Sequence, residues 1–243
     1  SRTCTALHIA AVHGHVEVTR HLLVHDRFKA VSCGTTFTSP VSGLYHAPQS
    51  LVRSSNLSAL HLAASFGRVG VALCLLQDSA FTKTNSVAEV DGGKNWNALH
   101  VAASTGCTEV VHLLLQHERF TATNSRAIVR KSKDKCHMAT ALHLAAAVGH
   151  AGVMQQMLEE DGTVEAEALT SEQDESALHI AAKYGHSQVV ASLLQHDRFS
   201  STAAALRDME GLTGFHHAAR LGHIAVVRSF LELADAHVIN MRT

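Results

Sequence analysis

One phrase recurs along these 243 residues and limits what they can become. It reads TALHIAAVHG from Thr5, SALHLAASFG from Ser58, NALHVAASTG from Asn97, TALHLAAAVG from Thr140, SALHIAAKYG from Ser176 and TGFHHAARLG from Thr213. The copies align on Gly14, Gly67, Gly106, Gly149, Gly185 and Gly222. Four residues after each glycine stands a valine: Val18, Val71, Val110, Val153, Val189 or Val226. Apolar pairs such as Leu22–Leu23, Leu75–Leu76 and Leu193–Leu194 follow at helical spacing. A fixed self-similar unit of this size specifies a stack of small modules, none able to bury its apolar face alone.

Each unit reads as two helices. Thr5, Ser58, Asn97, Thr140 and Ser176 are good N-caps for the first. Paired alanines such as Ala63–Ala64 leave room for a neighbouring helix. The glycine ends the first helix in a left-handed conformation. A longer amphipathic helix then runs back against it.

These phrases resemble the ankyrin repeat, whose signature is T-P-L-H-x-A-A-x-x-G-H followed by V-V-x-x-L-L. The resemblance implies an all-α solenoid of six helix-turn-helix units with long irregular finger loops. It places a single domain over 1–243, with units at about 5–28, 58–81, 97–120, 140–163, 176–199 and 213–236. Two departures stand out. The signature's proline is Ala or Gly in every copy (Ala6, Ala59, Ala98, Ala141, Ala177, Gly214). The segment after the second helix is H-[DE]-R-F or D-S-A-F, ending in Phe28, Phe81, Phe120 and Phe199, which read as packing anchors.

The repeat also accounts for many of the 20 histidines. One slot holds His8, His61, His100, His143, His179 and His216, and the position after the glycine holds His15, His150, His186 and His223. A third slot holds His25, His117 and His196. By resemblance, the first two groups hydrogen-bond backbone within and between units, as an imidazole with one donor and one acceptor can. The structural repeat residues are thus these slot histidines with Gly14, Gly67, Gly106, Gly149, Gly185 and Gly222. His21 and His25 have i, i+4 spacing, but zinc needs three or four ligands and no third is visible in the sequence. Cys136–His137 has no partner motif of a catalytic dyad.

Successive glycines lie farther apart than the roughly 33 residues usual for this unit, so the additions fall in the loops. Loop 29–57 is rich in Ser and Thr and holds both prolines. Loop 121–139 is basic, with Arg130 and Lys131 among its cations. Loop 159–175 is acidic. The two charged loops read as solvated segments or as docking patches for a partner.

The remaining composition excludes more than it selects. Net charge is −1 with neutral histidines, so no global field draws nucleic acid. No apolar run reaches membrane-spanning length. The five cysteines form no CxxC pair, which fits a reducing intracellular compartment, with the cytoplasm expected and an organelle open. The end of the chain, ADAHVINMRT, reads like the start of another finger, and the usual polar caps of a stack are missing, so more protein or a partner is expected at one or both ends.

No nucleophile–base set, phosphate loop or metal quartet is visible, so the expectation is a non-enzymatic protein-interaction scaffold without cofactor. It would serve as an accessory or assembly subunit of a larger complex. Its partners would be proteins, with no nucleic acid and no direct membrane insertion. The alternatives are a targeting segment of a larger enzyme or channel, and a histidine-based metal or small-molecule binder. The two residues before each glycine vary while their neighbours repeat, which marks them as the expected binding edge. The candidates are His13, Phe66, Lys183, Tyr184, Arg220 and Leu221, extended by Arg130 and Lys131.

Overall fold

The computed structural model describes residues 4–37, 54–90, 92–131, 136–160, 169–170, 173–196 and 204–242. Thirteen helices lie among them. The first helices of the pairs are α1 (Ala6–His13), α3 (Ala59–Ser65), α5 (Ala98–Thr105), α7 (Ala141–Val148), α9 (Ala177–Tyr184) and α11 (Gly214–Leu221). Their return helices are α2 (Val16–Val24), α4 (Val69–Gln77), α6 (Thr108–Gln116), α8 (Ala151–Glu159), α10 (Ser187–Gln195) and α12 (Ile224–Leu233). A single turn, α13 (Ala236–Ile239), follows. The odd-numbered helices from α1 to α11 pack on one another in chain order, and the even-numbered ones from α2 to α12 form a second row.

The local reasons are the expected ones. Every first helix opens on a capping box, including one at Thr213. The histidine at its third position turns Nδ1 back to the cap. In α3, Nδ1 of His61 accepts the Ser58 N–H at 3.1 Å. The paired alanines are almost fully buried except Ala219 in α11, which is exposed. Their small side chains let the rows approach, and Leu60, Leu75, Leu99, Leu114, Leu142 and Met154 fill the space between. Burying such a side chain contributes about 1.5–3 kcal/mol. Phe81 and Phe120 are buried and Phe28 is half-buried against the core, as packing anchors should be, whereas Phe199 lies outside the described residues.

The slot histidines join units as well as capping them. Nε2 of His61 donates to the Trp96 carbonyl at 2.9 Å, in the next unit. His8 reaches Leu57, His100 reaches Ser125, His179 reaches Leu212 and His216 reaches Met241 in the same way. One nitrogen accepts and the other donates, so the bonded form is the neutral imidazole. His61→Ala removes both bonds at a fully buried position. It should lower unfolding free energy by about 2–4 kcal/mol in urea titrations, because a cavity and unsatisfied backbone groups remain.

The residue after the glycine makes a second link, directed backward. Nε2 of His186 donates to Ala147 O and Nε2 of His223 to Lys183 O, both at 3.0 Å. Arg68 takes the slot in the second unit and donates from Nε to Val12 O at 2.9 Å. A third link explains the arginine of H-[DE]-R-F. Arg119 donates to the carbonyls of Leu76, Asp78 and Phe81, at the C-terminal end of α4 and just beyond it. A cation there also meets the negative end of the helix dipole.

The all-α expectation with irregular fingers needs correction. The strands are β1 (Thr35–Phe37), β2 (Ser54–Leu57), β3 (Ala88–Val90), β4 (Gly93–Trp96), β5 (Ala127–Lys131) and β6 (Cys136–Ala139). They form one antiparallel sheet in chain order. Three hairpins pair side by side through Ser55↔Glu89 and Lys94↔Ile128. The stack sets the fingers next to each other, and their backbone groups then find partners in the neighbouring finger. Asp91–Gly92–Gly93 is a hairpin-turn sequence whose signal is visible in the chain. Gly93 is needed for packing too, because a Cβ there would sit 2.3 Å from Ile128 O. Asn56, Asn95 and Asp174 have positive φ two residues before their caps, as Gly211 does. Asn and Asp tolerate that region best among residues with a side chain.

Candidate protein-interaction surface

The expected binding residues do not form one equivalent set. The residue just before the glycine is Val148 in α7, Tyr184 in α9 and Leu221 in α11, and all three are exposed. Because α7, α9 and α11 pack in sequence, these side chains occupy the same position on three consecutive helices. Tyr184 is 59% exposed and stacks on His186 at 6.4 Å between ring centroids. His13, at the same position in α1, is exposed and stacks on His15. Phe66 differs: it is half-buried and packs partly on the core, so its ring belongs in part to the fold.

The cations beside the strip are engaged within the chain. Lys183 Nζ donates to Glu175 Oε1 at 2.8 Å, and Arg220 Nη1 to Glu210 Oε2 at 2.6 Å. Arg130 and Lys131 lie on β5, paired with His137 and Cys136 on β6. They are thus on a strand, in the hairpin that ends before α7. The rest of the basic finger (132–135) and most of the acidic one (161–168 and 171–172) lie outside the described residues. So does the proline-bearing part of loop 29–57, at 38–53.

One polar cluster escaped the sequence reading. His217 is buried in α11 where the other units carry Ile9, Leu62, Val101, Leu144 or Ile180. Its Nε2 donates to Asp208 Oδ2 at 2.6 Å, and its Nδ1 accepts from Arg220 Nη2 at 3.0 Å. Asp208 Oδ1 accepts the backbone N–H groups of Glu210 and Leu212. Burial pushes the Asp208 carboxyl pKa up, but the hydrogen bonds from His217, Leu212 and Glu210 outweigh it and hold the net value below the usual range. Glu175 completes a group whose ligand-type atoms lie within 4.8 Å of one another. A cation there would have to displace Lys183 from Glu175 and a proton from His217. The hydrogen bonds of the cluster tie Glu175 to Lys183 of α9 on one side, and Asp208 to His217 and His217 to Arg220 of α11 on the other. The signal that could have revealed it is a polar residue, His217, in an apolar slot of the repeat.

The i, i+4 histidines are used locally as well. His21 Nδ1 bonds Glu17 O at 2.8 Å, and His25 Nδ1 accepts the Arg27 N–H at 3.2 Å. Of Cys136 and His137, only the backbone pairing is described. No helix among the described residues is long and apolar enough to cross a membrane.

Comparison with known proteins agrees with this architecture. The family model for ankyrin repeats (3 copies) matches residues 1–124, 60–169, 124–203 and 142–241. Among solved structures, the ankyrin repeat domain of Bcl-3, described as a unique member of the IkappaB protein family, is similar with a TM-score of 0.62 and 21% identity. The match covers 98% of this chain and 90% of that one. No curated protein matches the chain in sequence. With the repeat, its capping histidines and the stacked helix pairs in place, the chain belongs to the ankyrin-repeat family.

Proposed function

We propose that this chain is a non-enzymatic protein-interaction scaffold whose six-unit array displays a binding edge on its first helices. The observation that carries the reading is the exposed strip Val148, Tyr184 and Leu221 on α7, α9 and α11. Repeat positions that hold the fold together are polar-satisfied or buried, whereas this one changes from unit to unit and is exposed in α1, α7, α9 and α11. Large exposed aromatics supply much of the contact energy at interfaces. Lys183 and Arg220 flank the strip and can exchange Glu175 and Glu210 for acids of a partner. His13, Phe66, Arg130 and Lys131 would widen the edge toward the N-terminal unit and the fingers. The role is that of an accessory or assembly subunit of a larger complex in a reducing intracellular compartment. The free thiols Cys4, Cys33, Cys74 and Cys107 suit such a compartment.

A partner isolated by affinity capture and then purified provides the test. Tyr184→Ala should weaken its direct binding at least about tenfold while leaving the melting temperature unchanged, because the ring is mostly in solvent. Undiminished binding by Tyr184→Ala combined with Leu221→Ala would move the site to the fingers or the second helix row. Stoichiometric metal in the purified protein, measured by elemental analysis, would favour the histidine-based binder instead.

A further inference from the structure

Val148, Tyr184 and Leu221 are 49%, 59% and 47% exposed. Helices α7 and α9 each pack between two other first helices, so the exposure of Val148 and Tyr184 belongs to their position on the helix. With Leu221 on α11 they form a row along the stack. Helices packed side by side have axes about 8–10 Å apart, so the row offers one side chain at roughly that interval. Its central member is held in place. Tyr184 stacks on His186, whose Nε2 bonds the Ala147 carbonyl at 3.0 Å, so the supporting ring is fixed before a partner arrives.

Few partner backbones can follow that interval with one face. On an extended strand, residues share a face only at even spacing, at about 6.7 Å or about 13 Å. On an α-helix, residues seven apart are separated by about 10.5 Å and return to nearly the same face. A polyproline II segment returns every third residue at about 9.3 Å, but its recognition uses a groove lined with aromatic rings. Of the three positions only Tyr184 is aromatic, and Val148 and Leu221 suit aliphatic side chains. Interval and chemistry together select the helix.

The charge beside the row gives that helix a preferred flank. Asp174, Glu175, Asp208 and Glu210 belong to the finger segments that reach Lys183 and Arg220, so four acids there meet two bases. Arg207 is turned to the carbonyls of Gly211 and Arg242. The finger 159–175 holds eight acids and no base along its sequence. A field of this sign draws a positively charged segment. Resting on the reading of this strip as the binding edge, we propose that the partner lays an amphipathic α-helix along it, parallel to the stack. Apolar side chains two turns apart cover Val148, Tyr184 and Leu221, and a basic flank faces the fingers.

Photocrosslinking to the purified partner tests the proposal. The photoreactive residue p-benzoylphenylalanine replaces Val148, Tyr184 or Leu221, one at a time, and unchanged melting curves establish that each variant folds. Mass spectrometry then maps the linked partner residues. Links from neighbouring positions should fall in one partner segment, about seven residues apart. A spacing of three, the mark of polyproline II, overturns the proposal, and so do even spacings of two or four, or links scattered over several segments. No link from any of the three positions removes the edge itself rather than the choice of a helix. A synthetic peptide of the linked segment should gain helical circular dichroism on binding. Raising sodium chloride from about 50 mM to about 500 mM should weaken its affinity at least about tenfold. Asp174→Asn preserves the backbone, because Asn56 and Asn95 hold the same positive-φ slot, and should weaken binding about threefold at low salt. Insensitivity to either change overturns the basic flank.

Discussion

At pH 5 the protein should unfold at a temperature roughly 10 °C lower than at pH 7.5. The slot histidines give the reason. Desolvation by burial lowers the pKa of His61 and of His100 to about 4, although hydrogen bonds to Trp96 O and Ser125 O raise it in part. Burial lowers His8 and His179 in the same direction. A folded pKa below the unfolded value near 6.5 means that the unfolded chain takes up protons first. The stability these residues provide is therefore complete above pH 6.5 and is lost as pH falls toward about 4. At pH 5 the loss is about 2 kcal/mol for each of His61 and His100. The structural event is specific: a proton on Nδ1 of His61 would face the Ser58 N–H that it now accepts. Asp208, lowered in pKa, loses its contribution only under more acidic conditions, so it does not produce the change at pH 5. Thermal melts at several pH values check the prediction. A flat profile between pH 7.5 and 5 would show that these imidazoles are not held neutral by the fold.

Gly149→Val should lower the stability of the array by about 3–5 kcal/mol, enough to unfold part of it at moderate temperature. Gly149 ends α7 with φ of 88°, a region that a β-branched residue adopts badly. A Cβ there would also lie 2.5 Å from His186 Nδ1. The His186 ring cannot move aside freely, because its Nε2 bonds the Ala147 carbonyl. One substitution thus strains the turn and breaks a link between the fourth and fifth helix pairs. Gly222→Val is a useful contrast. Its φ is 75°, but a Cβ there would meet nothing within 4 Å. It should cost only the backbone strain, about 1–3 kcal/mol. Urea titrations that placed the two variants at equal stability would mean that the His186 contact does not constrain the turn.

Much of this architecture was legible in the chain. The caps, the glycines and the offsets of Val71 or Leu75 fixed the helix pairs, because these choices act within a dozen residues. The histidine slots were readable through the family resemblance, and so was their neutral, doubly bonded state. The fingers were harder. Their strands are three to five residues long, too short for alternation to stand out, and Ser55 finds Glu89 only because stacking sets the two hairpins side by side.

The sequence by itself determined the repeat, the helix boundaries, the buried face and the family, since each follows from local capping and from a period of apolar residues. Only the tertiary structure decided what the charged and aromatic positions do. Lys183 and Arg220 read as free cations until folding brought Glu175 and Glu210 to them. Phe66 and Tyr184 occupy the same slot, but one leans on the core and the other stands in water. His217 joins Asp208 across nine residues of chain, at a position where periodicity alone asks for an aliphatic side chain. Such pairings depend on which units become neighbours and at what distance, and no local pattern of residues carries that information.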